Sequence, residues 1–253
     1  MIREVLPGAN CGACGFAGCD DYAAALGSDS DVAPNLCPPG GTSVAAQIAE
    51  ILGVDAGSTE AKYAEVLCKG SCEHTKPLME YQGIKTCKAV KNFFGGHGSC
   101  RYGCLGFGDC VTACPYDAIH VVDGVAIVDR NNCVGCGLCV KACPNDIIQI
   151  APGKNLIYVG CSNQDKGGVA RKTCGVACIG CMKCVKACRF DSIKVENNLA
   201  YINPETCRNC TMCVKECPTG AIMQLPRPKK PAAKTQTAKP QPSQPENQLV
   251  ANA

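Results

Sequence analysis

Apolar residues in this chain come in short runs, and the runs repeat. Between residues 41 and 55, Val44, Ile48, Ile51 and Leu52 keep to one side of a 3.6-residue period and predict a short amphipathic helix. Farther along the period changes to two. "AIHVVDGVAIV" sets two apolar stretches about Asp123-Gly124, and "SIKVENNLAYI" sets two about Asn197-Asn198. Both predict β-hairpins, because these turn residues tolerate the positive φ of a tight reversal. The longest charge-free window, around residues 32–49, is interrupted by Pro34, Pro38, Pro39 and paired glycines. No apolar run reaches the ~18 residues of a membrane span, so the chain as given is not expected to cross one.

The hairpins belong to an internal repeat. "CVTACPYDAIHVVDGVAIVDRNNCVGC" aligns with "CVKACRFDSIKVENNLAYINPETCRNC", with 18 residues between Cys114 and Cys133 and 18 between Cys188 and Cys207. Four regions follow: an N-terminal segment over 1–55, one module over 62–153, a second over 154–225, and a tail over 226–253. Each module reads as cysteine loop, short helix, hairpin, cysteine loop. The tail is Pro, Lys, Gln and Ala with almost nothing to bury, and is expected to be disordered.

Composition changes the picture. In 253 residues there are 25 Cys, no Trp and only 5 Phe, so side-chain packing alone does not hold this fold together. Disulfides are a poor explanation: the chain shows no signal peptide, and cysteines two residues apart are too crowded to find separate distant partners. A compact inorganic core takes several ligands from one loop, and metal clusters in a reducing compartment are expected. The formal charge of +3 therefore misleads. Each four-thiolate 4Fe-4S site contributes roughly −2, and the loaded protein is strongly acidic. The tail carries five basic residues and Glu246, net +4, beside a body at 3 − 4 = −1. It is a solvated terminus or an electrostatic tether to an acidic protein or anionic membrane.

Three segments carry the frame C-x2-C-x2-C-x3-C, starting at Cys133, Cys178 and Cys207. Three thiolates of such a loop reach one cube, and the fourth cysteine points to the neighbouring site. Crossing the fourth ligands puts Cys178, Cys181 and Cys184 with Cys217, and Cys207, Cys210 and Cys213 with Cys188. Cys133, Cys136 and Cys139 go with Cys114. The remaining frame has Cys104, Cys110 and Cys143, but Phe107 stands where the middle cysteine belongs. Cys100 is the expected substitute, with a three-iron cluster as the rival; Cys174 stands at the equivalent place in a frame that lacks nothing. Cys68, Cys72, Cys87, Cys161 and Cys174 are left over. Cys68 and Cys161 end matching apolar stretches. The five ligate one further cluster, or a zinc with His74, or are reduced thiols. At the N-terminus Cys11, Cys14, Cys19 and Cys37 form C-x2-C-x4-C-x17-C, which fits a 4Fe-4S cluster or, on spacing alone, zinc. That makes five clusters, and six if the leftover cysteines are ligands. Nothing resembles a Gly-rich phosphate loop, so neither flavin nor nucleotide is expected, and no nucleic acid or small-molecule substrate.

"LPGANCGACGFAGCDDYA" with "CPPGG" downstream, followed by ferredoxin-type frames, resembles the B subunit of Rnf complexes, the membrane-bound ion-translocating ferredoxin:NAD oxidoreductases, in its long two-module form. The resemblance covers residues 1 to about 225. It implies an α+β fold: a small N-terminal 4Fe-4S domain, two tandem bacterial-type two-cluster ferredoxin modules and a disordered tail. It implies electron relay between soluble ferredoxin and other Rnf subunits, at low potential, with no substrate site of its own. Ion translocation belongs to the membrane partners, and the protein is expected peripherally at the cytoplasmic face of the membrane. The family normally carries a membrane helix before the first motif, where this chain has only "MIREV". Either the chain is trimmed there or it is a soluble polyferredoxin serving other cytoplasmic oxidoreductases.

Overall fold

A computed structural model describes residues 1–28 and 31–226; the expected disorder of the tail falls outside all of these except Pro226. The N-terminal segment folds as three helices, α1 (Ile2–Val5), α2 (Cys19–Ser28) and α3 (Gly41–Leu52). Leu6, Tyr22, Leu26, Val44 and Ile48 form its core. Tyr22 is buried because its ring packs on Phe16 and its hydroxyl has partners on both sides: it donates to the Ala33 carbonyl at 2.7 Å and accepts from Leu36 N–H at 3.3 Å. The helix predicted from Val44, Ile48, Ile51 and Leu52 is α3, which ends at Gly53 in the left-handed conformation. Ile51 does not join the core; it is exposed, because only the Val44–Ile48 side of this short helix meets α1 and α2.

Past residue 60 the chain folds as an α+β structure of four two-stranded antiparallel sheets with short helices between them. In the first module β1 (Lys62–Val66) is followed by α4 (Cys87–Asn92), α5 (Asp109–Thr112), β2 (Ile119–Val122), β3 (Val125–Val128), α6 (Leu138–Ala142) and β4 (Ile148–Pro152). The second has β5 (Ile157–Val159), α7 (Gly167–Thr173), α8 (Lys183–Ala187), β6 (Ile193–Glu196), β7 (Leu199–Ile202), α9 (Met212–Glu216) and β8 (Ile222–Gln224). The predicted hairpins are β2–β3 and β6–β7, with Val122 opposite Val125 and Glu196 opposite Leu199. Both residues of each turn have positive φ: 49° and 81° at Asp123-Gly124, 48° and 62° at Asn197-Asn198.

The outer sheet of each module closes the repeat end to end: β1 pairs with β4, Ala64 opposite Ile150, and β5 with β8, Tyr158 opposite Met223. This non-local pairing brings the chain that enters a module beside the chain that leaves it. The cysteine loops lie between the two sheets, in cores that mix Ile, Val and Ala with cysteines.

Candidate cluster sites

The four cysteine loops of the modules share one backbone conformation. The second and fourth residues after the leading cysteine have positive φ in every case: Gly106 and Gly108, Gly135 and Gly137, Gly180 and Met182, Asn209 and Thr211. That alternation wraps the loop so that its N–H groups and thiols face one point. The first loop keeps it although Phe107 has replaced the middle cysteine. Hairpin tips lie over the loops in the same way: a Cβ on Gly106 would meet the Gly124 carbonyl at 3.0 Å, and one on Gly180 the Asn198 carbonyl at 3.0 Å.

Cys11, Cys14, Cys19 and Cys37 line one hollow in the N-terminal segment. Cys114, Cys133, Cys136 and Cys139 line another. In the second module Cys184 stands in the field of Cys178, Cys181 and Cys217, and Cys213 in that of Cys207 and Cys210. Cys188 packs at the edge of the same core.

The incomplete frame is filled differently from the expectation. Cys104, Cys110 and Cys143 share their hollow with Cys87, not Cys100. Asp109 explains this. Its carboxylate accepts from the N–H of Cys87 at 2.8 Å and of Lys88 at 3.0 Å, while Thr86 caps the same helix start by accepting from Ala89 N–H. The start of α4 is thus tied to the residue before Cys110. Phe107 contacts Tyr81 and His97 edge-on, within the 31-residue stretch between Cys68 and Cys100 that lets Cys87 reach in. Cys87 sits 17 positions ahead of its frame, with no spacing rule to flag it; Thr86 as a helix cap was the only local signal.

Cys100 lies in a turn, Gly103 N–H to Cys100 carbonyl, that directs it to another hollow shared with Cys68, Cys161 and Cys174. Two of these come from each module, at matching positions: Cys68 with Cys161, and Cys100 with Cys174, each four residues before its frame. Cys174 thus stands beside Cys100 although the frame of the second module is complete. The hollow is joined to both flanking sites through backbone: Cys104 N–H donates to Cys68 Sγ at 3.4 Å, and Cys178 N–H to Cys161 Sγ at 3.3 Å. Asn163, almost fully buried, donates its side-chain amide to Cys100 Sγ and its N–H to Cys161 Sγ. His74 does not line the hollow of the four cysteines; it lines a neighbouring one with Cys68, Glu65 and Arg130. Cys72 is exposed over Gly124 and joins no group.

Four thiols about a hollow fit a cube better than a single ion. Around zinc, sulfurs at about 2.3 Å from the metal stand within about 4 Å of each other. Among the described residues no three Cys, His, Asp or Glu are gathered to hold one ion, the N-terminal four included. Burial pushes the thiols of Cys68, Cys110 and Cys139 up to about 12, and neighbouring cysteines add to the shift. A cationic core bound there would draw these protons off, so that loading would release them. Cys217 departs from this. Burial raises it, but hydrogen bonds from Ile222, Thr219 and Ala221 N–H and the Thr219 hydroxyl prevail and hold it below the ordinary thiol value.

Profiles of the 4Fe-4S dicluster domain match residues 101–150, 132–193 and 177–221, and an Fe-S cluster profile matches 6–39. The B subunit of the proton-translocating ferredoxin:NAD(+) oxidoreductase complex of Clostridium ljungdahlii is 47% identical over 228 residues, covering 89% of this chain and 80% of that one. Its counterpart in the Na(+)-translocating complex of Acetobacterium woodii is 48% identical over 223 residues, 88% of this chain and 67% of its own. The B subunit of the ion-translocating oxidoreductase complex of Methanosarcina acetivorans is 40% identical over 222 residues, 87% and 84%.

Proposed function

Because the chain belongs to the family of B subunits of ion-translocating ferredoxin:NAD(+) oxidoreductase complexes, we propose that it relays single electrons between ferredoxin and the other subunits of such a complex, which hold it at the cytoplasmic face of the membrane. It is an iron-sulfur electron-transfer subunit. A bound 4Fe-4S cluster supplies reversible one-electron uptake. The residues hold six sites: the N-terminal four; Cys114 with Cys133, Cys136 and Cys139; Cys87 with Cys104, Cys110 and Cys143; Cys68, Cys100, Cys161 and Cys174; Cys178, Cys181, Cys184 and Cys217; and Cys188, Cys207, Cys210 and Cys213.

The observation that carries the reading is the hollow lined by two cysteines from each module, bonded through N–H groups to a cysteine loop on either side. Without it the modules are two separate pairs; with it the sites form one series in the order just given. The chain's other work is to bury the thiolates from water and to aim N–H donors at sulfur, which stabilises the added negative charge.

Anaerobically purified protein is expected to hold about 24 irons with matching acid-labile sulfide, four per site. Cys87→Ala should convert one site to a three-iron centre with an oxidised EPR signal, and Cys100→Ala should perturb a different centre, so that the double variant loses iron from two sites rather than one. About 20 irons, unchanged in Cys100→Ala, would remove the site between the modules; zinc in place of iron would remove the relay.

A further inference from the structure

The repeat shows where one cluster-bearing unit already docks on a module, and the same place on the other module is bare. On the first module the N-terminal segment covers Tyr116, Cys136 and Leu138: Cys11 packs with Tyr116 and Cys136, with Leu138 against them. Lys141 reaches across to donate to the Cys11 carbonyl at 3.1 Å. Tyr116 and Cys136 are 9% and 8% exposed there.

By the repeat, Tyr116 corresponds to Phe190, Cys136 to Cys210, Leu138 to Met212 and Lys141 to Lys215. All four are exposed, Phe190 at 45% and Met212 at 38%. A large aromatic and a methionine at the surface beside an exposed candidate ligand are costly to leave in water unless something covers them. The second module also differs in charge at this place. Arg189 stands where the first has Pro115, and Arg208 where it has Val134, both exposed. Beyond the lysine that both patches share, the bare one has gained two cations.

We propose that the face formed by Phe190, Cys210, Met212 and Lys215, with Arg189 and Arg208, is the docking surface for an external acidic protein carrying its own iron-sulfur cluster. It is seated there as the N-terminal segment is seated on the first module. The idea rests on the relay reading and names the port at one end of the series. The apolar residues exclude water between the two centres, and the cations steer an acidic partner and let it leave. One electron passes from the reduced centre of the partner to the oxidised centre of this chain, or back; no bond forms or breaks.

The test uses the loaded full chain and an acidic two-cluster ferredoxin as probe, in two measurements at low and high salt: equilibrium binding between oxidised proteins, and stopped-flow reduction by pre-reduced ferredoxin. Arg189→Glu with Arg208→Glu is expected to weaken binding and slow reduction about tenfold at low salt. Added salt should erase most of the difference. Reduction by dithionite should match the wild type. Lys76→Glu with Lys85→Glu, exposed on the first module, should leave both measurements unchanged. Wild-type binding and rates in the Arg189/Arg208 variant would overturn this face and leave the relay standing. A wild-type chain that dithionite reduces but ferredoxin neither binds nor reduces would remove the ferredoxin reading and the face with it.

Discussion

Thr211 holds φ 65° at a loop position where the matching residues are Gly108, Gly137 and Met182. A β-branched side chain in the left-handed region is strained by about 1–2 kcal/mol, and the loop holds it in the same backbone conformation as the other three. Thr211→Gly should stabilise the loaded protein by about 1 kcal/mol, read as a rise in the temperature at which cluster absorption is lost. Thr219 acts on charge instead. Its hydroxyl lies 3.8 Å from Cys217 Sγ and favours the thiolate. Thr219→Val removes a hydrogen bond worth about 1 kcal/mol. By one-electron conversion it should lower the potential of that centre by roughly 40 mV in an EPR-monitored titration.

At the scale of elements, the frame that has Phe107 in its middle position lies against a helix start. Asp109 clamps the first two N–H groups of α4 and thereby sets Cys87 at its hollow. Asp109→Ala should let α4 swing out and produce the same oxidised three-iron signal as Cys87→Ala, while Asp109→Asn, which keeps an acceptor, should produce less of it. The hairpins are the elements most easily read from the chain, because alternation and two turn residues specify them locally. The outer sheets were not legible, since β1 and β4 are paired across some 80 residues and nothing local to either strand names its partner.

For the whole molecule, the junction between the modules carries its own titration. Glu65 on β1 is 3% exposed and lines a hollow with Tyr158 and Met223 of the second module. Burial raises its pKa above the ordinary 4.5, although the Gln149 side-chain hydrogen bond and Arg130 pull it down. A raised carboxyl favours the fold while it is protonated. That contribution is whole below the unfolded value and is lost as pH climbs through the folded one. Glu65→Gln, neutral throughout, should therefore gain on the wild type as pH rises, with a larger advantage at pH 8 than at pH 5 in thermal loss of cluster absorption. An advantage independent of pH would mean that Glu65 is not perturbed.

The sequence by itself determined the frames, the repeat, the hairpins and the N-terminal motif, because each is local: ligands within a few residues, a period, a pair of turn residues. The expectation that Cys114 crosses to the Cys133 frame is local as well, since the following helix is expected to point that cysteine away from its own loop; Cys114 lines the hollow of Cys133, Cys136 and Cys139. Only the tertiary structure decided which of Cys68, Cys87, Cys100, Cys161 and Cys174 stand together. Their separations along the chain carry no geometric rule. Cys87 and Cys100 exchanged their expected places because a carboxylate clamp and a turn, not spacing, aim them. Whether Cys136 or its repeat counterpart Cys210 is covered was likewise a matter of what packs on it, since both lie in the same frame.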